Sequence, residues 1–145
     1  KARSSAYQIT WLFFSSSQVY IYKQTINFDK DDKKVATEEY FYKDRQIFDL
    51  PLQVHGTEFQ SRVWAALQDI PFAKTISYLQ LAKNLGNPKC IRAAGTANGK
   101  NPIGIIIPCH RVIGSNGSLV GYAGGLWRKQ WLLEHEQKNV QNLLF

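Results

Sequence analysis

The sequence has no methionine, only two cysteines and no long apolar run. Two thiols are too few for a disulfide framework or a thiolate zinc site, so a reducing compartment is favoured. No stretch approaches the roughly 20 apolar residues of a membrane span, and no signal-peptide segment follows Lys1–Ser5. We therefore expect a soluble, intracellular protein, cytoplasmic in a prokaryote or nuclear in a eukaryote. We also expect that at least the initiator methionine has been removed.

Acidic residues are scarce in the second part of the chain. Residues 55–145 hold ten Lys or Arg against four Asp or Glu, whereas residues 1–54 hold eight against seven. No acidic residue lies between Asp69 and Glu134, an interval with eight basic ones. Such a distribution favours a polyanionic partner such as nucleic acid. A solvated basic surface without a specific partner is the alternative.

Length and a change of hydrophobic period divide the chain near Gly56. A chain of 145 residues is long enough for one domain with a small appendage. Residues 9–14 and 18–23 are predicted strands joined by a polar turn, residues 35–42 a short helix, and residues 46–50 an extended segment. We expect an α/β (α+β) fold, with a small structural lobe over residues 1–54 and a separate domain over residues 55–145.

From Thr57 onward the apolar residues recur at helical spacing. Thr57 and Ser77 are placed to cap a first and a second helix. Asn87 and Pro88 would cap and open a third helix from Lys89 to about Asn98, which Gly99 would end. The tight link between the last two helices is typical of a helix-turn-helix. Its third helix would display Arg92 among small residues, which permit close approach to nucleic acid and suit ordinary helix packing equally well.

The segment around Cys109 carries the strongest chemical signal. The apolar run over residues 103–107 predicts a buried strand, and Pro108 would end it where a side chain can be presented at a site. His110 and Arg111 put a base and a cation beside the thiol in sequence. Such neighbours lower the pKa of a cysteine and activate it as a nucleophile. A cysteine that only packs in the core is the alternative.

A turn, a glycine-rich segment and a last helix are predicted beyond this cysteine. Residues 112–117 have hairpin chemistry, and Gly121–Gly125 form a backbone able to approach a planar ligand. The last helix would run over about residues 126–138, with Glu136 near its end. Together these segments would bring a thiol, an imidazole, a carboxylate and glycine-rich walls beside the third helix, the candidate element for reading DNA.

A series of short motifs covers residues 56–137 without a gap and is most specific around the cysteine. They are Gly56-Thr57-Glu58-Phe59-Gln60, Val63-Trp64, Ile70-Pro71, Tyr78, Arg92-Ala93, Asn101-Pro102, Ile107-Pro108-Cys109-His110-Arg111-Val112, Gly121-Tyr122, Gly124-Gly125-Leu126, and Leu132-Leu133 with Glu136. With these motifs the chain resembles the O6-alkylguanine-DNA alkyltransferases.

The resemblance implies a small α/β lobe followed by a mainly helical domain that enters the minor groove of double-stranded DNA. It implies repair by direct, irreversible transfer of a methyl or other alkyl group from O6 of guanine to Cys109, after the nucleotide is rotated out of the stack. Each monomer would act once and without a cofactor. Activity on O4 of thymine is left open.

The resemblance also assigns roles to individual side chains. Cys109 would accept the alkyl group, with His110 acting through an ordered water as the base for the thiol. Glu136 would orient the imidazole, Asn101 would hold the turn behind it, and Tyr78 would hydrogen-bond N3 of the guanine. The implied substrate-binding residues are Arg92, which fills the space left in the stack, and Val112, Ser115, Tyr122 and Ala123.

Some features depart from the family or suggest another function. Position 123 is Ala where several relatives have Ser, and Asn98 occupies a site that is often apolar in relatives. The cysteines that bind zinc in some relatives are absent, so we expect no metal. One rival is a DNA-binding module or lesion sensor in which Cys109 is inert. The other is a cysteine hydrolase unrelated to DNA.

Overall fold

A computed structural model describes residue 36 and residues 38–143 of the chain. The chain divides into two units, Lys1–Val54 and His55–Phe145. In the first, residues 36 and 38–42 are helical, as predicted, and residues 46–50 form no strand. The two strands predicted at residues 9–14 and 18–23 lie outside the described residues. No helix in the described part of the chain is long and apolar enough to cross a membrane.

The second unit is mainly helical with one small sheet, and the fold is α+β as predicted. Strands β1 and β2 pair in parallel, with Ile76 opposite Val112. In chain order the elements are α1 (Glu58–Gln68), β1 (Ile76–Ser77), α2 (Tyr78–Asn84), a 3-10 turn (Pro88–Cys90), α3 (Ile91–Gly99), a second 3-10 turn (Cys109–Arg111), β2 (Val112–Ile113) and α4 (Leu126–Leu143).

The predicted helix caps are confirmed. The Thr57 hydroxyl accepts a hydrogen bond from the Gln60 backbone N–H (3.1 Å), and the Gln60 side chain accepts one from the Thr57 N–H (2.9 Å). This reciprocal pair is a capping box, which satisfies two donors that the first turn leaves open. The Ser77 hydroxyl caps α2 by accepting a hydrogen bond from the Gln80 backbone N–H (3.0 Å). Asn87 caps the 3-10 turn that precedes α3.

Helices α2 and α3 pack against each other across a short link, which is the predicted helix-turn-helix. Gly86 has a φ of +85°, a left-handed conformation that lets the chain turn tightly after α2. The third helix starts later than predicted, because the residues after Asn87 first form a 3-10 turn. It includes Gly99, and Lys100 caps it with its backbone N–H.

The apolar run over residues 103–107 is buried but is not the predicted strand. Its backbone bonds are local, from the Ile107 N–H to the Ile103 carbonyl (3.1 Å) and from the Ile106 N–H to the Gly104 carbonyl (2.9 Å). Ile105 has a φ of +74°, which is strained for a β-branched residue. A short apolar run indicates burial and does not distinguish a strand from a buried turn.

Two further segments differ from the prediction. After β2 a turn closes through the Gly114 N–H and the Ser118 carbonyl (2.9 Å). The predicted turn is therefore present, but no second strand follows it in the described residues, and β2 pairs with β1 instead. The last helix extends to Leu143 and carries Glu136 in its interior.

The core of the second unit fixes α3 against α1. Val63, Trp64 and Leu67 are buried on one face of α1. The Trp64 indole N–H donates to the Ala97 carbonyl of α3 (2.9 Å), so packing is reinforced by a buried hydrogen bond. This contact sets the position of α3, which carries Asn98.

We predict that Thr57→Ala lowers the free energy of unfolding by about 1 kcal/mol, because it removes the hydroxyl that caps α1. Urea denaturation followed by tryptophan fluorescence measures the change. Ser61→Ala is the control, since Ser61 lies exposed in the same helix and alanine is the better helix former. An equal loss in both variants would contradict a capping role.

Candidate active site

Cys109 is the first residue of the second 3-10 turn and is almost completely buried, with 7% of its surface exposed. Its backbone N–H donates to the Ile107 carbonyl (2.8 Å). Asn101 braces the same turn, because its amide donates to the Ile107 carbonyl (2.7 Å) and its carbonyl accepts from the Ile103 N–H (3.0 Å). The thiol therefore stands on a rigid backbone.

The carboxylate of Glu136 receives four hydrogen bonds. Its Oε1 accepts from His110 Nε2 (2.7 Å) and from Arg111 Nη2 (3.0 Å). Its Oε2 accepts from Arg111 Nε (3.0 Å) and from the backbone N–H of Ala73 (3.0 Å). Arg111 also donates to the Ile70 carbonyl (2.7 Å). Donors from two separate segments of the chain thus converge on one fully buried carboxylate of α4.

Glu136 is ionised in this setting. Burial alone would raise the pKa of its carboxyl, but the hydrogen bonds and charges of His110 and Arg111 outweigh that effect and lower the pKa to about 2. A buried charge is tolerated when it is paired and its lone pairs are filled. The bidentate guanidinium of Arg111 supplies the countercharge.

The ionised carboxylate determines the tautomer of His110. A carboxylate can only accept, so His110 Nε2 must carry the hydrogen and Nδ1 must hold a lone pair. Burial lowers the pKa of His110 against the opposing effect of Glu136, so the neutral imidazole is favoured. Among the described residues, Nδ1 has no hydrogen-bond partner. It is therefore available to take up a proton.

The thiol of Cys109 is protonated at rest. Burial raises the pKa of Cys109, and the Asn101 side chain and the charge of Lys129 oppose that increase. Such a thiol is inert until a base removes its proton. The imidazole of the next residue, His110, is the base nearest to it in sequence.

Lys129 was missed by sequence reasoning. Its side chain is fully buried, and its Nζ donates to the carbonyls of Val112 (2.6 Å) and Val120 (3.0 Å). Arg111 was the expected cation for the thiol, but its guanidinium binds Glu136. Lys129 and Glu136 are seven residues apart, so they lie on one face of α4. This helical spacing is the sequence signal that could have identified Lys129 as part of the site.

Two tyrosines lie in the same region. The Tyr78 hydroxyl, at the start of α2, donates to the Val120 carbonyl (3.0 Å). Burial and the neighbouring Cys109 raise the pKa of Tyr122 well above its ordinary value. A Cβ on Gly124 would lie 2.9 Å from the Tyr122 ring, so glycine permits the backbone to pass there.

The other predicted substrate-binding residues lie outside this buried cluster. Arg92 is exposed on α3, Ser115 on the turn after β2, and Ala123 in the glycine-rich segment. No side-chain hydrogen bond described for residues 38–143 joins them to Cys109. Within the same residues, no group of three or more His, Cys, Asp or Glu side chains is placed to hold a metal ion.

Residues 58–138 match the family model for the 6-O-methylguanine DNA methyltransferase DNA-binding domain. The chain is similar to methylated-DNA–protein-cysteine methyltransferases of Methanosarcina acetivorans and Shigella flexneri, at 56% and 54% identity over 99 residues. The match covers 68% of this chain in both cases, and 64% and 58% of the respective relatives. The chain thus spans about three fifths of the length of these relatives.

A solved structure with the same fold has been determined on nucleic acid. It is the Mycobacterium tuberculosis OGT in complex with DNA, with a TM-score of 0.73 and 48% identity. The likeness covers 75% of this chain and 68% of that one. At 48% identity the two chains are similar in sequence as well as in fold.

We predict that Glu136→Gln lowers the free energy of unfolding at pH 7 by about 3 to 5 kcal/mol, because it leaves Arg111 buried without its partner. The pKa of Glu136 is lowered from 4.5 to about 2. Its stabilising effect is therefore complete above pH 4.5 and is lost as the pH falls towards 2.

Urea unfolding between pH 7 and pH 2.5 measures this effect, and the difference between wild type and variant should shrink over the acid part of that range. Glu134→Gln is the matched control, since Glu134 lies exposed on the same helix. A wild-type advantage that is independent of pH would contradict the ion-pair explanation.

Proposed function

The chain belongs to the 6-O-methylguanine DNA methyltransferase family, and from this membership we propose that it repairs DNA by taking an alkyl group from O6 of guanine onto Cys109. The observation that carries the proposal is the path Glu136–His110–Cys109. The carboxylate accepts from Nε2 of the imidazole, Nδ1 has no partner among the described residues, and the thiol is on the adjacent residue. This is the arrangement of an activated nucleophile.

The transfer is a single displacement at carbon. His110 Nδ1 takes the thiol proton through a water molecule, and Glu136 stabilises the imidazolium that forms. The sulfur of Cys109 attacks the alkyl carbon, the bond from that carbon to O6 breaks, and its electron pair leaves with the guanine. The Tyr78 hydroxyl proton moves to N3, so the base leaves as a neutral species, and the proton held by His110 returns through solvent to the tyrosine. The thioether is stable, so each molecule acts once.

Lys129 favours the reactive form of the sulfur. Its charge lowers the pKa of Cys109 against the effect of burial. Its carbonyl partners, at Val112 and Val120, hold the amine in place, and Val120 also accepts the Tyr78 hydroxyl. The lysine therefore links the thiol to the tyrosine that faces the base.

Double-stranded DNA is the proposed partner, with α3 entering the minor groove. Arg92 and Ala93 are exposed on α3, so a long cation and a small side chain face outward together. Arg92 would enter the stack as the damaged nucleotide rotates out, which offsets a cost of a few kcal/mol. Val112, Ser115, Tyr122 and Ala123 would line the space that receives the base. The protein would act as a monomer, in the compartment that holds the DNA.

A lesion sensor and an unrelated cysteine hydrolase are the rival functions. A lesion sensor has no use for an activated thiol. A cysteine hydrolase would use a similar arrangement of thiol, imidazole and carboxylate, but the sequence shows no oxyanion-hole motif to accompany it. A sensor would bind damaged DNA and gain no mass, and a hydrolase would turn over an ester or amide. Alkyl transfer modifies the protein once.

We predict that the intact protein, incubated with duplex DNA containing O6-methylguanine, gains the mass of one methyl group on Cys109 and then stops reacting. Cys109→Ala should gain none while it keeps its affinity for the duplex, because sulfur is the acceptor only. Arg92→Ala should weaken capture of the damaged base and leave the thiol in place. Mass spectrometry and fluorescence anisotropy separate these effects, and an equal loss of binding in both variants would contradict the division of roles.

We predict that Lys129→Met slows transfer at pH 7, because a smaller fraction of the Cys109 thiol is deprotonated without the positive charge. The pKa of Cys109 should rise when the positive charge is removed, so the rate profile should move to higher pH. Single-turnover rates between pH 6 and pH 9 measure both effects. Lys138→Met, an exposed change on the same helix, is the control. Unchanged rates and an unchanged profile would exclude Lys129 from activation of the thiol.

A further inference from the structure

Arg128 is a half-buried cation at the end of the glycine-rich segment, and the proposed transfer does not use it. Its Nη1 donates to the Gly124 carbonyl (2.5 Å). Its guanidinium carbon lies 4.3 Å from the centre of the Trp127 ring, a cation–π contact that favours this orientation of the side chain. A charged donor makes a stronger hydrogen bond than a neutral one. Arg128 therefore attaches the end of the segment to α4.

The glycine-rich segment has few backbone hydrogen bonds of its own. Among the described residues, the only backbone–backbone bond within residues 120–125 joins the Gly125 N–H to the Tyr122 carbonyl (2.9 Å). Gly121 and Gly125 have φ values of +57° and +92°. Glycine adopts this conformation easily, but it loses more conformational freedom than other residues when it is fixed there. The path of the segment therefore depends on side chains from other parts of the chain.

Two consecutive residues of α4 supply these side chains. Lys129 Nζ donates to the Val120 carbonyl (3.0 Å), just before the first glycine of the segment. Arg128 donates to the Gly124 carbonyl, just before the last glycine. Tyr122 lies between the two attachment points. The helix thus holds the segment at both ends.

Tyr122 connects the second attachment point with the nucleophile. Burial and the neighbouring Cys109 raise the pKa of Tyr122, and the charge of Arg128 opposes that rise. The phenol is therefore within electrostatic reach of both residues. A Cβ on Gly124 would lie 2.9 Å from the Tyr122 ring and 3.4 Å from Arg128 Cδ, so both side chains pack against the same glycine. A shift of Gly124 would move Tyr122 relative to the sulfur.

We infer that Arg128 is a positioning residue for alkyl transfer. Its hydrogen bond to the segment holds Tyr122 and Ala123 in place against the extruded base. The inference rests on the proposed function, which places that base beside these residues and Cys109. A base held slightly out of line with the sulfur reacts much more slowly, even when it binds equally well. Loss of Arg128 should therefore slow the transfer step and leave the affinity for DNA unchanged.

The test separates the rate of transfer from the affinity for DNA. A duplex that contains O6-methylguanine is reacted with increasing excess of protein, and the single-turnover rates give a maximal rate and an apparent dissociation constant. Arg128→Met removes the donor and the charge but keeps a long unbranched side chain. Its maximal rate should fall about tenfold, the size expected for loss of one hydrogen bond from a charged donor. Its apparent dissociation constant should stay within twofold of the wild-type value.

A control variant and a second measurement complete the test. Lys138→Met removes one positive charge from an exposed position of the same helix, and it should leave both quantities unchanged. In Arg128→Met, amide hydrogen exchange followed by mass spectrometry should become faster over residues 120–125 and stay the same in α1 and α3. Faster exchange in all of these elements would assign Arg128 to the stability of the whole domain and would overturn the inference.

The outcomes separate this inference from the function on which it rests. If the wild type transfers no methyl group, the proposed function fails and the inference fails with it. If the wild type transfers methyl and Arg128→Met keeps its maximal rate, the repair activity stands and the positioning role is overturned. A weaker affinity at an unchanged maximal rate, with a shallower dependence of binding on salt, would show that Arg128 contacts a phosphate. That result also overturns the inference.

Discussion

The buried carboxylate of Glu136 is the constraint on which the geometry of the site depends. It accepts hydrogen bonds from His110 and Arg111 of the second 3-10 turn and from the backbone N–H of Ala73 in the loop before β1. These bonds hold both segments against α4. Ala73 has a φ of +60°, which is rare for a residue with a side chain, and the bond to Glu136 compensates for that conformation. A single charge thus positions the imidazole, its tautomer and the turn that carries the thiol.

Two buried cations near this charge act on different groups. Arg111 neutralises Glu136, and that pairing leaves the arginine unavailable to the sulfur. Lys129, held by two carbonyls, acts on Cys109 instead. Because burial favours the thiol and the lysine favours the thiolate, the nucleophile is protected at rest and becomes reactive once a base removes its proton. This balance suits the single use of the cysteine in the proposed transfer.

The helices and the cluster around the thiol were predictable to different degrees. Thr57, Ser77 and Asn87 cap the elements that their local chemistry indicated, because a cap depends on neighbours within three residues. The run over residues 103–107 was misjudged as a strand, since its burial depends on distant elements. The capping residues therefore predicted where the helices begin. The apolar run predicted that residues 103–107 are buried, but not their backbone conformation.

The sequence by itself determined the local features: the capped helices, the tight link of the helix-turn-helix and the adjacent thiol, imidazole and guanidinium at residues 109–111. Only the tertiary structure decided that Arg111 pairs with Glu136 while Lys129 acts on Cys109. It also decided that His110 Nδ1 and Asn98 Oδ1 have no hydrogen-bond partner among the described residues. The physical reason is range. Caps and turns form between near neighbours in the chain, whereas a buried charge or amide finds its partners across α3, α4 and the turns between them.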